Sequence, residues 1–328
     1  MLSRVADSLY WMAKNIERAE NNSRILSTRL IDMLEADDTK ALAYKDWEEI
    51  IDICSSYEDY VLNNEKLEPS SIVQYLTFDQ NNMNSLQQIL RIARDNAKST
   101  REIIPTELWE HLNDCYWNSK DVDSTDWTLK DVDNLLKQLI QSSFTTQGII
   151  ESSLLRGDSY TFLQIGKCLE RAEKTSRILT MMCEKLKEDA IDQDETFYYH
   201  SLRTLHFVNG HQAFLKKYPP SIKGEDVLTF LISDHTFPRS IVYCIEHVQQ
   251  AISEMEGGQV SLYSESLFRI LDEVKADLEE LRIQGSSMDE MIDFLNNFKQ
   301  HCNQIGDIFS RTYYLVDPKV NGAYQKQT

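Results

Sequence analysis

The chain runs to 328 residues and carries a net charge of −19, from 34 Lys and Arg against 53 Asp and Glu. Such a charge repels phosphate backbones and anionic lipid, so nucleic-acid and membrane-surface binding are set aside in favour of solubility or a basic partner. Apolar residues make up 41%, with only 10 Gly and 6 Pro, which disfavours a turn-rich β fold and predicts an all-α protein.

In chain order the predicted helices cover roughly 2–36, 39–63, 69–78, 84–103, 105–119 and 126–156, then 159–188, 192–217, 224–233, 239–256, 261–283 and 287–314. Breaks fall at Glu68-Pro69, Ile104-Pro105, Gly157-Asp158, Pro219-Pro220, Gly257-Gly258 and Gly285. The polar stretch Asn118–Asp126 reads as a loop and residues 317–328 as a flexible tail. The N-terminal stretch MLSRVADSLYWMAKNIERAE has Arg4 and Asp7 and no apolar run, so it is not read as a signal peptide. No segment approaches the ~20 apolar residues needed to span a bilayer. Cys54, Cys115, Cys168, Cys183, Cys244 and Cys302 form no C-x-x-C pair and read as small buried residues of a reducing compartment. The expected location is cytoplasmic.

Two stretches are nearly the same. IERAENNSRIL begins at Ile16 and LERAEKTSRIL at Leu169, an offset of 153. Leu9, Met12, Ile16, Ala19, Ser23, Leu26 and Leu30 alternate spacings of 3 and 4, the stripe of a packed helix. The same offset gives Phe162, Ile165, Leu169, Ala172, Ser176, Leu179 and Cys183, again all apolar or small. A second echo pairs YLTFDQNNMNSL from Tyr75 with FLISDHTFPRSI from Phe230, each an apolar helix end, an Asp (Asp79, Asp234), a polar loop and a Ser opening a new helix (Ser85, Ser240). Pro238 is expected in the first turn of that second helix. A weaker echo pairs Ser56–Tyr60 with Gly210–Phe214. The order and near-constant offset predict a bundle of about twelve helices. It would be built from two tandem six-helix repeats, 1–156 and 157–316, packed as one body about a pseudo-twofold axis.

Glu17 and Arg18 lie roughly 140° and 120° from the apolar stripe on a helical wheel. Their face also carries Tyr10, Trp11 and Ile25, and in the second copy Leu163 and Ile178, so the helix is expected to be covered on both sides. Glu20 and Arg24 form a favourable i,i+4 pair, and the second copy repeats the set as Glu170, Arg171, Glu173 and Arg177. A covered cluster must satisfy its charges internally. The expectation is that Glu17 meets Arg171 or Arg177, and Glu170 meets Arg18 or Arg24, across the axis. A polar ligand cavity and a plain solvated face remain the alternatives, and the guanidinium groups would suit a carboxylate or phosphate.

Motifs for chemistry are scarce. There is no Gly-rich phosphate loop, no G-x-S-x-G, no H-E-x-x-H and no Glu-x-x-His, and no cofactor or metal is expected. His200, His206 and His211 do not share one helical face. His111 and Cys115 stand i,i+4 but lack an electropositive setting for a thiolate. The carboxylates of Glu17, Glu20, Glu170 and Glu173 each have an Arg in reach, which favours a permanent anion over a proton shuttle. The balance lies against catalysis.

The openings LSRVADSLYWMAKNIERAENNSRIL and FLQIGKCLERAEKTSRIL, with YLTFDQNNMNSLQQILRIARDNA, REIIPTELWEHLN and FPRSIVYCIEHV, resemble the bacterial alpha-E family over nearly the whole chain. The one departure is Asn82-Met83, where a Pro like Pro238 is typical. The resemblance implies an all-helical protein, with the Glu-Arg motif at Glu17-Arg18 and Glu170-Arg171. It implies genes beside a circularly permuted ATP-grasp ligase and a transglutaminase-like protein, hence an accessory, non-catalytic interaction role in peptide or amide ligation. An enzyme or ligand sensor with a Glu/Arg pocket between the repeats is the alternative reading.

Overall fold

The computed structural model describes residues 3–35, 42–64, 67–122, 125–188 and 193–314, and the tail expected over 317–328 lies outside them. The described residues form fourteen helices and no strand. They are α1 (Ser3–Glu35), α2 (Leu42–Cys54), α3 (Tyr57–Asn63), α4 (Pro69–Thr77), α5 (Leu86–Ser99), α6 (Thr106–Lys120) and α7 (Leu129–Ser153). They continue as α8 (Asp158–Glu188), α9 (Gln193–Phe207), α10 (His211–Phe214), α11 (Gly224–Ser233), α12 (Ile241–Met255), α13 (Glu265–Glu280) and α14 (Met288–Tyr313).

Two of the expected twelve helices are split. Ser56 is extended and its hydroxyl accepts from the Asp59 amide, so it starts a new helix, α3, just beyond α2. Asn209 takes a left-handed φ of 52° and ends α9, with Gly210 opening the single turn of α10. The expected loop at Asn118–Asp126 also begins later than its polarity suggests. α6 continues to Lys120 because Ser119 is buried and its carbonyl accepts from Gln87 Nε2 at 2.9 Å, while Lys120 Nζ donates to Gln87 Oε1 at 2.8 Å.

Local chemistry sets the other starts. Thr128 and Asp131 form a capping box at α7, and Ser287 and Glu290 form one at α14. Ser85 and Ser240 cap α5 and α12 by accepting from the Gln88 and Tyr243 amides, and each hydroxyl also donates back to the carbonyl of the loop aspartate, Asp79 or Asp234. Pro238 therefore lies before the cap, not in the first helical turn. Its ring sits in the loop, and its carbonyl accepts from Arg171.

α1 and α8 pack along each other at the centre. α5 and α7 flank α1, with α6 between them; α12 and α14 flank α8, with α13 packed on both. The two apolar stripes are buried from Leu9 to Leu30 and from Phe162 to Cys183. Each such Leu or Ile taken from water contributes about 1.5–3 kcal/mol, which is what holds two long helices with many charges in the middle of the molecule. At one end Tyr10, Phe162, Phe309 and Tyr314 form an aromatic knot where α1, α8 and α14 meet, with centroids 5.4 to 6.2 Å apart.

The close approach of α1 and α8 depends on Gly166. A Cβ there would lie 2.5 Å from the Tyr10 carbonyl oxygen and 3.2 Å from Ala13 Cβ. Gly166→Ala should therefore cost about 1–3 kcal/mol in urea unfolding, because the obstacle is backbone and cannot swing aside. Gly148→Ala, in mid-α7 with nothing within 4 Å, should instead gain about 0.5–1 kcal/mol from helix propensity. Equal effects at the two glycines would refute the close-packing account.

Candidate functional site

The charged face of α1 is turned to α8. Glu17 is 1% exposed and Glu170 3%. Arg171 grips Glu17 with both ends of its fork, Nε to Oε1 at 2.8 Å and Nη2 to Oε2 at 2.7 Å. Arg18 grips Glu170 the same way, Nε to Oε1 at 2.6 Å and Nη2 to Oε2 at 2.9 Å. Each helix gives its Glu to the other's Arg. Arg24 and Arg177 do not cross. They fold back along their own helices onto Glu20, at 2.5 and 2.8 Å, and Glu173, at 3.0 and 3.2 Å. The eight sequence candidates thus supply four ion pairs to the Glu/Arg network, two across the α1–α8 interface and two within a helix. Of the apolar residues expected to bracket it, Tyr10, Ile25, Leu163 and Ile178 are buried, whereas Trp11 is 41% exposed.

Several members carry no signal in the Glu-Arg motif. Arg239, just before the Ser240 cap, donates from Nη1 to Glu17 Oε1 at 3.0 Å and Asn21 Oδ1 at 2.6 Å, and from Nη2 to Glu20 Oε2 at 2.6 Å. Lys14 lies 3.3 Å from Glu170 and 3.9 Å from Glu173. Lys174, 5% exposed, donates to Asn22 Oδ1 at 3.0 Å and the Ile53 carbonyl at 2.7 Å. The echo of the two Asp loops pairs Arg239 with Asn84, and that change of charge was the available clue.

Burial alone would raise the Glu17 carboxyl, but Arg171 and Arg239 outweigh it and hold the group down at about 2. Glu170 is likewise opposed by burial and driven below the usual carboxylate range by Arg18 and Lys14. Neither is suited to exchange a proton near neutrality. Burial pushes Lys174 down to about 8.

A family model described as a predicted alpha-helical domain with a conserved ER motif, Alpha-E, matches residues 1–314. The chain belongs to the Alpha-E family. No curated protein and no solved structure matches the chain. In this Alpha-E chain the Glu-Arg dipeptides at Glu17-Arg18 and Glu170-Arg171 spend their charges on each other across the α1–α8 interface.

Other sequence candidates are placed elsewhere. His111 Nε2 lies 2.8 Å from Ser142 Oγ, beside the groove of α6 and α7, and burial raises the Cys115 thiol, the opposite of nucleophile activation. The other five cysteines are also buried, and none is in a disulfide. Among the described residues no three His, Cys, Asp or Glu side chains are grouped to hold a metal ion, and no helix is long and apolar enough to cross a membrane.

Proposed function

We propose that the chain consists of two tandem repeats, 1–156 and 157–316, related by a pseudo-twofold axis between α1 and α8. We propose further that it serves as a non-catalytic helical accessory of a bacterial peptide- or amide-ligation system, working with an ATP-grasp ligase and a transglutaminase-like protein in the cytoplasm. A twofold requires that if position i meets j + 153, then j meets i + 153. Glu17–Arg171 and Arg18–Glu170 obey this rule. The rule also brings equivalent positions on the axis together, as with Ala13 and Gly166.

The observation that carries the accessory reading is the internal use of the motif. Both motif carboxylates are buried, bidentately paired and held ionised, so they serve as framework and leave the outer surface for partners. The enzyme reading lacks an acid–base pair for the same reason. The net charge of −19 favours a basic partner face. A groove of about 460 Å³ between α13 and α14, edged by Asp277, Glu280 and Asp293 around Phe294, suits such a face.

The test is affinity capture from the native host with identification of partners by mass spectrometry. The expected result is co-purification of both proteins and at least a fivefold loss for the variant Asp277→Lys/Glu280→Lys/Asp293→Lys. Absence of both partners, or turnover of an amide substrate by the isolated chain, would overturn this reading.

A further inference from the structure

The two ends of the Glu/Arg network differ in one exchange of residues. At the first end, the guanidinium of Arg239 reaches between Glu17 and Glu20 and is steadied by Asn21. At the second end, the residue in the matching loop is Asn84, and the residue matching Asn21 is Lys174. Asn84 is too short to bridge Glu170 and Glu173, and it only accepts a 3.4 Å contact from Arg18 Nη1. Lys14 approaches those carboxylates instead. In front of them lies a cleft of about 90 Å³, lined by Arg18, Ser55, Asn84, Lys174 and Arg177 together with the two glutamates. That is about three times the volume one water occupies in the liquid, enough for one small polyatomic group.

The walls are cationic in excess. Both Glu170 oxygens are taken by Arg18, and Glu173 Oε1 accepts twice from Arg177. Lys174 has no carboxylate within 4 Å among the described residues. Its two acceptors are neutral, which leaves one of its three N–H donors over. A buried ammonium without a counter-charge is expensive, and burial pushes its pKa down to about 8. Arg177 stands at the rim with its side chain 39% exposed and its Nη1 uncommitted.

We infer that this cleft binds a single oxyanionic group, a carboxylate or a phosphate, between Lys174, Arg18 and Arg177. Guanidinium forks and an ammonium are the donors such a group takes, and the rim leaves room for the rest of a longer ligand outside. The site is independent of the ligase partnership. It uses the second end of the network only, because Arg239 fills the first.

The experiment is NMR titration of the Lys174 side chain in ¹⁵N-lysine-labelled protein, at constant ionic strength, with and without 50 mM inorganic phosphate or acetate. An anion that binds the protonated form raises the Lys174 pKa by linkage. A rise of one unit or more is expected with at least one of the two anions, and which one responds distinguishes phosphate from carboxylate. Asn84→Arg, which supplies the guanidinium that Arg239 provides at the other end, should abolish the response. Arg177→Gln should weaken binding at least fivefold with unchanged thermal unfolding, and it decides the matter alone if Asn84→Arg does not fold. The proposal is overturned if neither anion moves the Lys174 titration, or if Arg177→Gln responds as the parent chain does.

Discussion

Glu17→Met will destabilise the fold by about 3–5 kcal/mol, read as a shift of the urea midpoint followed by far-ultraviolet circular dichroism. The loss is large because of what is left behind. Arg171 gives both of its forked donors to Glu17, and its remaining contact is the Pro238 carbonyl at 3.1 Å. Its guanidinium would stay buried with no counter-charge. Arg239 keeps Glu20 and Asn21 and suffers less. The double variant Glu17→Met/Arg171→Met should recover most of the loss, because a well-packed apolar pair avoids the desolvation of two ions. A coupling energy of at least 2 kcal/mol in the double-mutant cycle is expected on that magnitude. The exposed pair Lys137–Asp133 on α7 is the control, where a solvated i,i+4 bridge contributes only about 0.3–0.5 kcal/mol. If Glu17→Met behaved like that control, the buried network would not be the framework of the α1–α8 interface.

Acid will dissolve the same network. Glu17 titrates near 4.5 when unfolded and at about 2 when folded, because Arg171 and Arg239 outweigh the cost of its burial. Its contribution is therefore complete above pH 4.5 and is lost as the pH falls toward 2, a change of roughly 3 kcal/mol. Glu170, lowered in the same direction by Arg18 and Lys14, adds to the loss in the same window. Stability measured by urea unfolding should fall steeply between pH 4.5 and 2.5. In Glu17→Gln the acid slope should be shallower, since one of the two titrations is gone. A flat profile from pH 5 to 3 would contradict the ion-pair assignment.

Much of this molecule was legible before folding was considered. The 3–4 spacing from Leu9 to Leu30 and from Phe162 to Cys183 sufficed to locate α1 and α8 and the faces they bury. Ser85 and Ser240 mark helix starts because a capping hydroxyl bonds amides only a few residues away. The repeated charges, set among bulky neighbours, pointed to the Glu/Arg cluster for a similar reason. Periodicity reports which residues share a face, and capping and i,i+4 pairs are closed within one turn.

What lay beyond sequence was every choice between distant partners. The wheel placed Arg171 and Arg177 alike as candidates for Glu17. The crossing of α1 and α8 at Ala13 and Gly166 brings Arg171 into register and leaves Arg177 to bond its own helix. Arg239 enters from a loop more than 200 residues from Glu17, so no local rule could point to it. The exchange of Arg239 and Asn21 for Asn84 and Lys174 was present in the letters, yet only the packed structure turns it into a bridged pair at one end and a cationic cleft at the other. Helices, caps and faces follow from interactions within one turn and are therefore written in the sequence. The identity of a buried charge's partner depends on the angle and offset at which two helices meet, and that is set by the packing of the whole chain.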